Sequence, residues 1–386
     1  MRIILTTLII SVATLLLPCC TNASENTANP VNDSVNISTG QVPDTATLVF
    51  FGDAMQHQAQ FNRARQLGTK ANPYNFDSCF KLIEPAVKDA DYAVVNLELP
   101  LGGGTNYSGY PMFSAPDSYA VALKDAGFDL FLTANNHCLD RSDKGLRRTI
   151  AVLDSMAVDH IGTYNDAAQR SNLVPFIKQI NGMKIGFLNY TYGTNGLVAR
   201  NGAEVAYIDR NKMKAEIEAT RKAGAEIIVA TVHWGIEYVL NENENQRSLA
   251  DFLIKQGVEI IIGGHPHVVQ PMKVVTDEVT GNRSLVVYSL GNFISNMTKA
   301  NTRGGAFVRV ILERDANGKV KFRNAEYDTF ITETPTTPGT NFRVVPSWAI
   351  DSLPASQKAN WNQHNNAVTK LYDKYNIDVP RSKKKY

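Results

Sequence analysis

The chain has 386 residues, 44% of them hydrophobic and 20% charged, with 39 basic side chains against 37 acidic ones. These proportions exclude a chain disordered throughout, a polytopic membrane protein and a collagen-like repeat. The formal charge of +2 is too small to be the electrostatic footprint of a nucleic-acid binder, and Lys383, Lys384 and Lys385 at the end of the chain supply part of it.

Residues 1–20 open with Met1-Arg2 and continue as an apolar run over 3–17 that stops at Pro18, Cys19 and Cys20. A charged start followed by a short apolar stretch is an export signal, and it falls short of the roughly 20 apolar residues that cross a bilayer. The run resembles a bacterial lipoprotein signal, which implies lipidation of Cys20 or, failing that, Cys19. Residues 21–45 are rich in Asn, Ser and Thr, carry almost no apolar side chains and are expected to form a flexible tether. Cys79 and Cys138 are the cysteines left for the exported part; two thiols permit one disulfide without establishing it.

From residue 46 to 332 the pattern is that of a folded domain. Short apolar runs at 47–53, 92–98, 130–137, 225–235 and 258–268 each predict a buried strand entering a polar turn. Helical spacing predicts helices over 78–89, 117–126, 144–156, 211–223 and 244–256. Strands alternating with helices argue for an α/β fold. Two local pairs, 174–180 with 183–190 around Asn181-Gly182 and 305–313 with 319–327 around 315–318, predict hairpins and so mixed sheets. Residues 333–386 turn Pro- and Thr-rich, then offer one helix over 354–375 and a basic tail.

Nearly every predicted core strand ends in a side chain able to ligate a metal: Asp53, Glu98, Asn136 with His137, His233, and His265 with His267. In open α/β sheets the carboxyl ends of the strands form the ligand crevice, so these segments can converge on one place. Singly, each has an ordinary structural explanation as a turn, cap or hydrogen-bonded residue. His265 and His267 are more demanding, because Gly263, Gly264 and Pro266 around them predict an irregular loop that aims both imidazoles at one point. Imidazole and carboxylate together suit divalent zinc, iron or manganese.

The series GDAMQH at 52–57, NLELPLGG at 96–103, TANNHCLD at 133–140, HWGIEY at 233–238, GGHPHVVQP at 263–271 and SLGNFISN at 289–296 resembles the CapA-type capsule (poly-γ-glutamate) biosynthesis proteins of the calcineurin-like metallophosphoesterase superfamily. The resemblance runs from Thr47 to Val310. It implies a four-layer α/β sandwich, two mixed sheets flanked by helices, with two divalent metal ions at one edge. By the same resemblance Asp53 and His267 serve the first metal, Glu98 bridges, and Asn136, His233 and His265 serve the second. His137, helped by Asp140, would protonate the leaving group, while Glu237 and Asn292 would orient substrate.

The sequence departs from the superfamily's Asp-x-His pattern, since Met55 stands where the histidine would be and the nearest one is His57, four positions on, which is the candidate metal residue of this motif. A thioether is a poor ligand for hard or borderline divalent ions. Glu98 also replaces the usual bridging Asp. The resemblance therefore implies an exported, lipid-anchored, metal-dependent hydrolase acting on a cell-envelope or capsule polymer by phosphoester or amide-bond cleavage. The competing expectation is a non-catalytic, metal-binding scaffold in an envelope polymer synthesis or export complex. Either way the expected partners are the polymer, membrane-bound synthesis proteins and the membrane itself, with no nucleic acid.

Overall fold

A computed structural model describes residues 44–386; the leader, Cys19, Cys20 and the tether up to 43 lie outside the described residues. Sixteen strands follow one another there. The first eight are β1 (Thr45–Ala54), β2 (Tyr92–Leu97), β3 (Leu130–Leu132), β4 (Asp159–Ile161), β5 (Thr163–Tyr164), β6 (Phe176–Ile180), β7 (Met183–Thr191) and β8 (Glu204–Val205). The second eight are β9 (Ile227–His233), β10 (Ile260–Gly264), β11 (Val269–Thr276), β12 (Arg283–Leu290), β13 (Asn292–Ile294), β14 (Gly304–Arg314), β15 (Val320–Glu333) and β16 (Arg343–Pro346). One sheet has the order β16-β15-β14-β1-β2-β3-β4 with β13 beside β1, the other β11-β12-β10-β9-β7-β6, and β5 pairs β8. Both large sheets are mixed, with β1, β2, β3 and β4 parallel to one another in the first and β7, β9, β10 and β12 in the second.

Alternation along each strand builds the layers, because successive side chains leave opposite faces. From β1, Ala46, Leu48 and Phe50 enter the core between the sheets, where they meet Ile227 and Val229 of β9 and Ile260 and Ile262 of β10. Val49 and Phe51 point the other way, against Phe61, Tyr119, Leu123 and Leu153 of the helices outside the first sheet. Ile228, Ala230, Val232 and Ile261 likewise face Met213, Ile217, Leu249 and Leu253 outside the second. The result is the expected four-layer sandwich, helices on sheet on sheet on helices.

Helices Asp117–Asp125, Ser142–Ser155, Arg210–Lys222, Glu244–Lys255 and Ala355–Tyr375 lie where their periodicity placed them. The helix expected over 78–89 is confined to Glu84–Lys88, since Pro85 is tolerated in the first helical turn but not farther in. Helix Gln58–Gln66 buries only Gln60, Phe61 and Ala64, too few to announce themselves in the sequence. The strand expected over 130–137 stops at Leu132, beyond which Thr133, Asn135 and His137 hold a loop through side-chain and backbone bonds. Both hairpins form, with Asn181 and Gly182 at positive φ, the conformation a two-residue turn requires. Cys79 and Cys138 are buried free thiols in separate apolar clusters. Among the described residues no helix is long and apolar enough to cross a membrane.

Candidate metal centre

Parallel strands end side by side, so the residues that follow them are gathered at one edge of the sandwich. Asp53 closes β1, Glu98 follows β2, and Asn136 and His137 stand in the loop after β3. The second sheet contributes His233 at the end of β9 and His265 and His267 just past β10. Each of these seven side chains is at least 96% buried, so the centre is desolvated before anything binds.

Two three-residue groups bring ligand atoms within 4.8 Å of one another: Glu98 with His233 and His265, and Asp53 with Glu98 and His267. Glu98 belongs to both. Its Oε1 lies 3.5 Å from His233 Nε2 and 4.0 Å from His267 Nε2. Asn136 Oδ1 is 2.8 Å from His233 Nε2, which sets the amide beside the first group. His57 is in neither; it precedes helix Gln58–Gln66, and its Nδ1 lies 3.2 Å from Gln60 Oε1 and accepts the Asn296 amide at 3.2 Å. Met55 packs into the apolar layer between the first sheet and its helices.

The backbone around the two histidines is unusual. His265 and His267 have φ of 97° and 58°, a region that costs a non-glycine residue on the order of 1–3 kcal/mol. Gly263 and Gly264 let the loop come this close: a Cβ on Gly263 would sit 2.0 Å from the Tyr288 carbonyl oxygen, and one on Gly264 2.8 Å from Asp53 Oδ1. The His265 amide in turn donates to Asp53 Oδ2 at 3.1 Å. A second set of groups aims the ligands. Asn96 Nδ2 donates to Asp53 Oδ1 at 2.8 Å, Asn135 Nδ2 donates to Asn96 Oδ1 at 3.2 Å, and Asn292 Oδ1 lies 3.0 Å from His267 Nδ1. Asn292 Nδ2 donates to the Thr302 carbonyl at 2.9 Å, so both ends of that amide are engaged by the protein. If His267 keeps its proton on Nδ1 for Asn292, Nε2 is free to ligate, the usual arrangement for a metal-bound imidazole.

Electrostatically the carboxylates of the cluster are only partly compensated. Both Glu98 oxygens are buried without a hydrogen-bond partner, as is His265 Nδ1. Burial and then the neighbouring Asp53 drive the Glu98 carboxyl far above its ordinary range. For Asp53, burial opposes ionisation, but the bond to His267 and the charges of His233 and His267 outweigh it and hold the group below the usual range. Burial lowers His233 and His265 to about 3, whereas in His267 Glu98 and Asp53 overcome burial and raise it to about 9. Two buried carboxylates, of which Glu98 has both oxygens orphaned, set beside the neutral imidazoles of His233 and His265 and the cationic one of His267, form a donor set that fits divalent cations.

His137 and Asp140 form a separate pair, with His137 Nδ1 2.7 Å from Asp140 Oδ2. The same oxygen accepts the Phe113 amide at 2.7 Å, and the Phe113 ring meets the His137 ring edge-on at 4.6 Å. Glu237 is half-buried on the turn after His233. Sequence reasoning passed over Tyr192, whose ring lies 4.5 Å from His265, because nothing in the local pattern at 190–195 marks it.

Residues 47–297 match the family model described as bacterial capsule synthesis protein PGA_cap. The chain belongs to this family. Over 281 residues it is 28% identical to the PGA biosynthesis protein CapA of Bacillus subtilis (strain 168), covering 72% of this chain and 70% of that one. Over 273 residues it is 28% identical to the capsule biosynthesis protein CapA of Bacillus anthracis, covering 68% of this chain and 63% of that one. Among solved structures, the calcineurin-like phosphoesterase YfkN from Bacillus subtilis overlaps with a TM-score of 0.44 at 13% identity, covering 85% of this chain and 99% of that one.

Proposed function

We propose that this PGA_cap-family chain is an exported, lipid-anchored, metal-dependent phosphoesterase acting on a capsule or cell-envelope polymer, held to the membrane through Cys20. The observation that carries the catalytic part is Glu98, buried without a partner and shared by the two ligand groups. Asp53, Glu98 and His267 would hold one divalent ion, and Glu98, Asn136, His233 and His265 the other. Bound there, such ions supply electrophilic stabilisation of phosphoryl oxygens and a water acidified toward neutral pH. The chain's own contributions are orientation and proton transfer. Asn96 and Asn292 fix Asp53 and His267, and Asp140 fixes His137 by its Nδ1, leaving Nε2 to carry a proton to the departing oxygen.

Elemental analysis and thermal melting of the full-length protein test this reading. Two metals per chain are expected, with melting raised by manganese because a ligand of the folded state alone stabilises it. His265→Ala should lose metal and that stabilisation together. Identical melting with and without metal, and normal metal content in the variant, would refute the assignment. Met55, apolar and buried where the superfamily pattern has histidine, favours a second reading, a scaffold keeping one structural ion. One metal per chain with no hydrolysis of any phosphoester would establish it.

A further inference from the structure

The loop over 295–303, which joins β13 to β14, has two neighbours. Toward the metal centre, its Thr302 carbonyl accepts Asn292 Nδ2 at 2.9 Å, and Lys299 Nζ lies 3.7 Å from the centre of the Tyr238 ring. Between the same loop and the C-terminal helix Ala355–Tyr375 lies a cavity of about 210 Å³. Thr298, Asn301 and Arg303 line it from the loop, and Asn360, Gln363 and His364 line it from the helix. Spaced by three and four residues, the helical three share one face. Ligation and proton transfer at the metal centre use none of the six.

The chemistry of the lining selects a ligand. His364 is 3% exposed, and neither of its ring nitrogens has a hydrogen-bond partner among the described residues. A buried polar group left in that state is costly, and a ligand in the cavity it lines would relieve it. Arg303 is the one charged residue of the lining, and no acidic side chain accompanies it there. Its guanidinium donates to Asn360 Oδ1 and, at 3.3 Å, to the Thr298 carbonyl. Those bonds hold it in place and leave part of its five-donor fork, whose geometry matches a carboxylate. The carboxamides of Asn301, Asn360 and Gln363 each offer a donor and an acceptor, the complement of amide groups. One cation among amides suits a monoanion flanked by amide bonds better than a doubly charged phosphate. Divalent ions at the metal centre would add positive charge beyond the loop and so reinforce the preference for an acid. The cavity is smaller than the roughly 300–1,000 Å³ that takes a drug-sized ligand, so one such unit enters and not a chain.

We propose that this cavity binds an acidic amide-linked unit, a free carboxylate beside amide bonds, at a site separate from the metal centre. The site goes beyond the phosphoesterase reading and does not depend on it. The test is calorimetric titration of the full-length protein, in chelator, with N-acetylglutamine, with its neutral amide N-acetylglutaminamide and with inorganic phosphate. N-acetylglutamine should bind, and the neutral amide should bind at least about tenfold more weakly. Arg303→Gln should weaken N-acetylglutamine about tenfold or more, the loss expected when a charge-assisted hydrogen bond is removed. Arg303→Lys, which keeps the charge and loses the fork, should recover only part of it. Gln363 is exposed, so Gln363→Glu should fold normally, with unchanged melting, and weaken the acid by setting a like charge at the mouth. That variant keeps the proposal open to refutation even if Arg303→Gln does not fold. Because binding is read without metal, it succeeds or fails independently of hydrolysis. No binding of N-acetylglutamine, equal binding of the neutral amide, tighter binding of phosphate, or an affinity indifferent to both Arg303→Gln and Gln363→Glu would overturn it.

Discussion

His137 and the histidines proposed as ligands share one edge of the sandwich but differ in what holds them, and that difference is measurable. His233 and His265 stand among carboxylate and amide oxygens that a cation can share, whereas His137 is tied at Nδ1 to Asp140. In the proposed reaction His137→Ala should keep its metal and lose about 10²–10⁴-fold in rate, the usual worth of a general acid. Parallel metal analysis and phosphoester turnover check it; loss of metal would make His137 a ligand. Asp140→Asn should lower the rate less and shift the pH profile, since it acts only through the imidazole it orients. Asp53, Glu98 and the four histidines of the centre were legible in the sequence because each stands where a predicted strand meets its turn. Asn96 and Tyr192 owe their importance to neighbours more than forty residues away, which local pattern does not reveal.

At the scale of elements, the loop after β10 is where fold and site constrain each other most tightly. Gly263 ends a fully buried stretch of strand, and a methyl group there would overlap the Tyr288 carbonyl of β12 and the Trp234 indole. Gly263→Ala should therefore force β10 and β12 apart and cost roughly 1–3 kcal/mol, the usual range for overpacking a core. Urea unfolding checks the cost, and metal affinity should fall with it because His265 and His267 hang from the displaced strand. An unchanged unfolding midpoint would show that the strands yield without strain. Strand positions were readable from their apolar runs, and hairpins from turn residues such as Asn181-Gly182. β11, β12 and β16 were not singled out, although β11 and β12 form a hairpin and β16 pairs with the preceding β15.

Across the whole molecule, the C-terminal helix Ala355–Tyr375 joins both sheets: Val368, Leu371 and Tyr372 enter the inter-sheet core, and Trp361 packs on Ile331 and Val345 of β15 and β16. His364 faces inward from this helix at 3% exposure with neither ring nitrogen hydrogen-bonded. Burial lowers it from 6.5 to about 4, with the backbone of Gly305 offsetting only part. A folded-state pKa below the unfolded one means that the unfolded chain binds the proton more readily between those values. His364 therefore favours folding fully above pH 6.5 and progressively less as the pH falls toward 4. At 1.36 kcal/mol per pH unit the loss across that window approaches about 3 kcal/mol. His57, His233 and His265 are also lowered by burial, so the wild-type slope is shared and the informative quantity is a difference between variants. His364→Leu removes this one titration, and its unfolding free energy should decline less steeply than the wild type's between pH 7 and pH 4.5, measured in chelator so that metal release adds nothing. Parallel slopes would mean that His364 is protonated without unfolding, and that the contact between this helix and β14 at Gly304 opens at little cost.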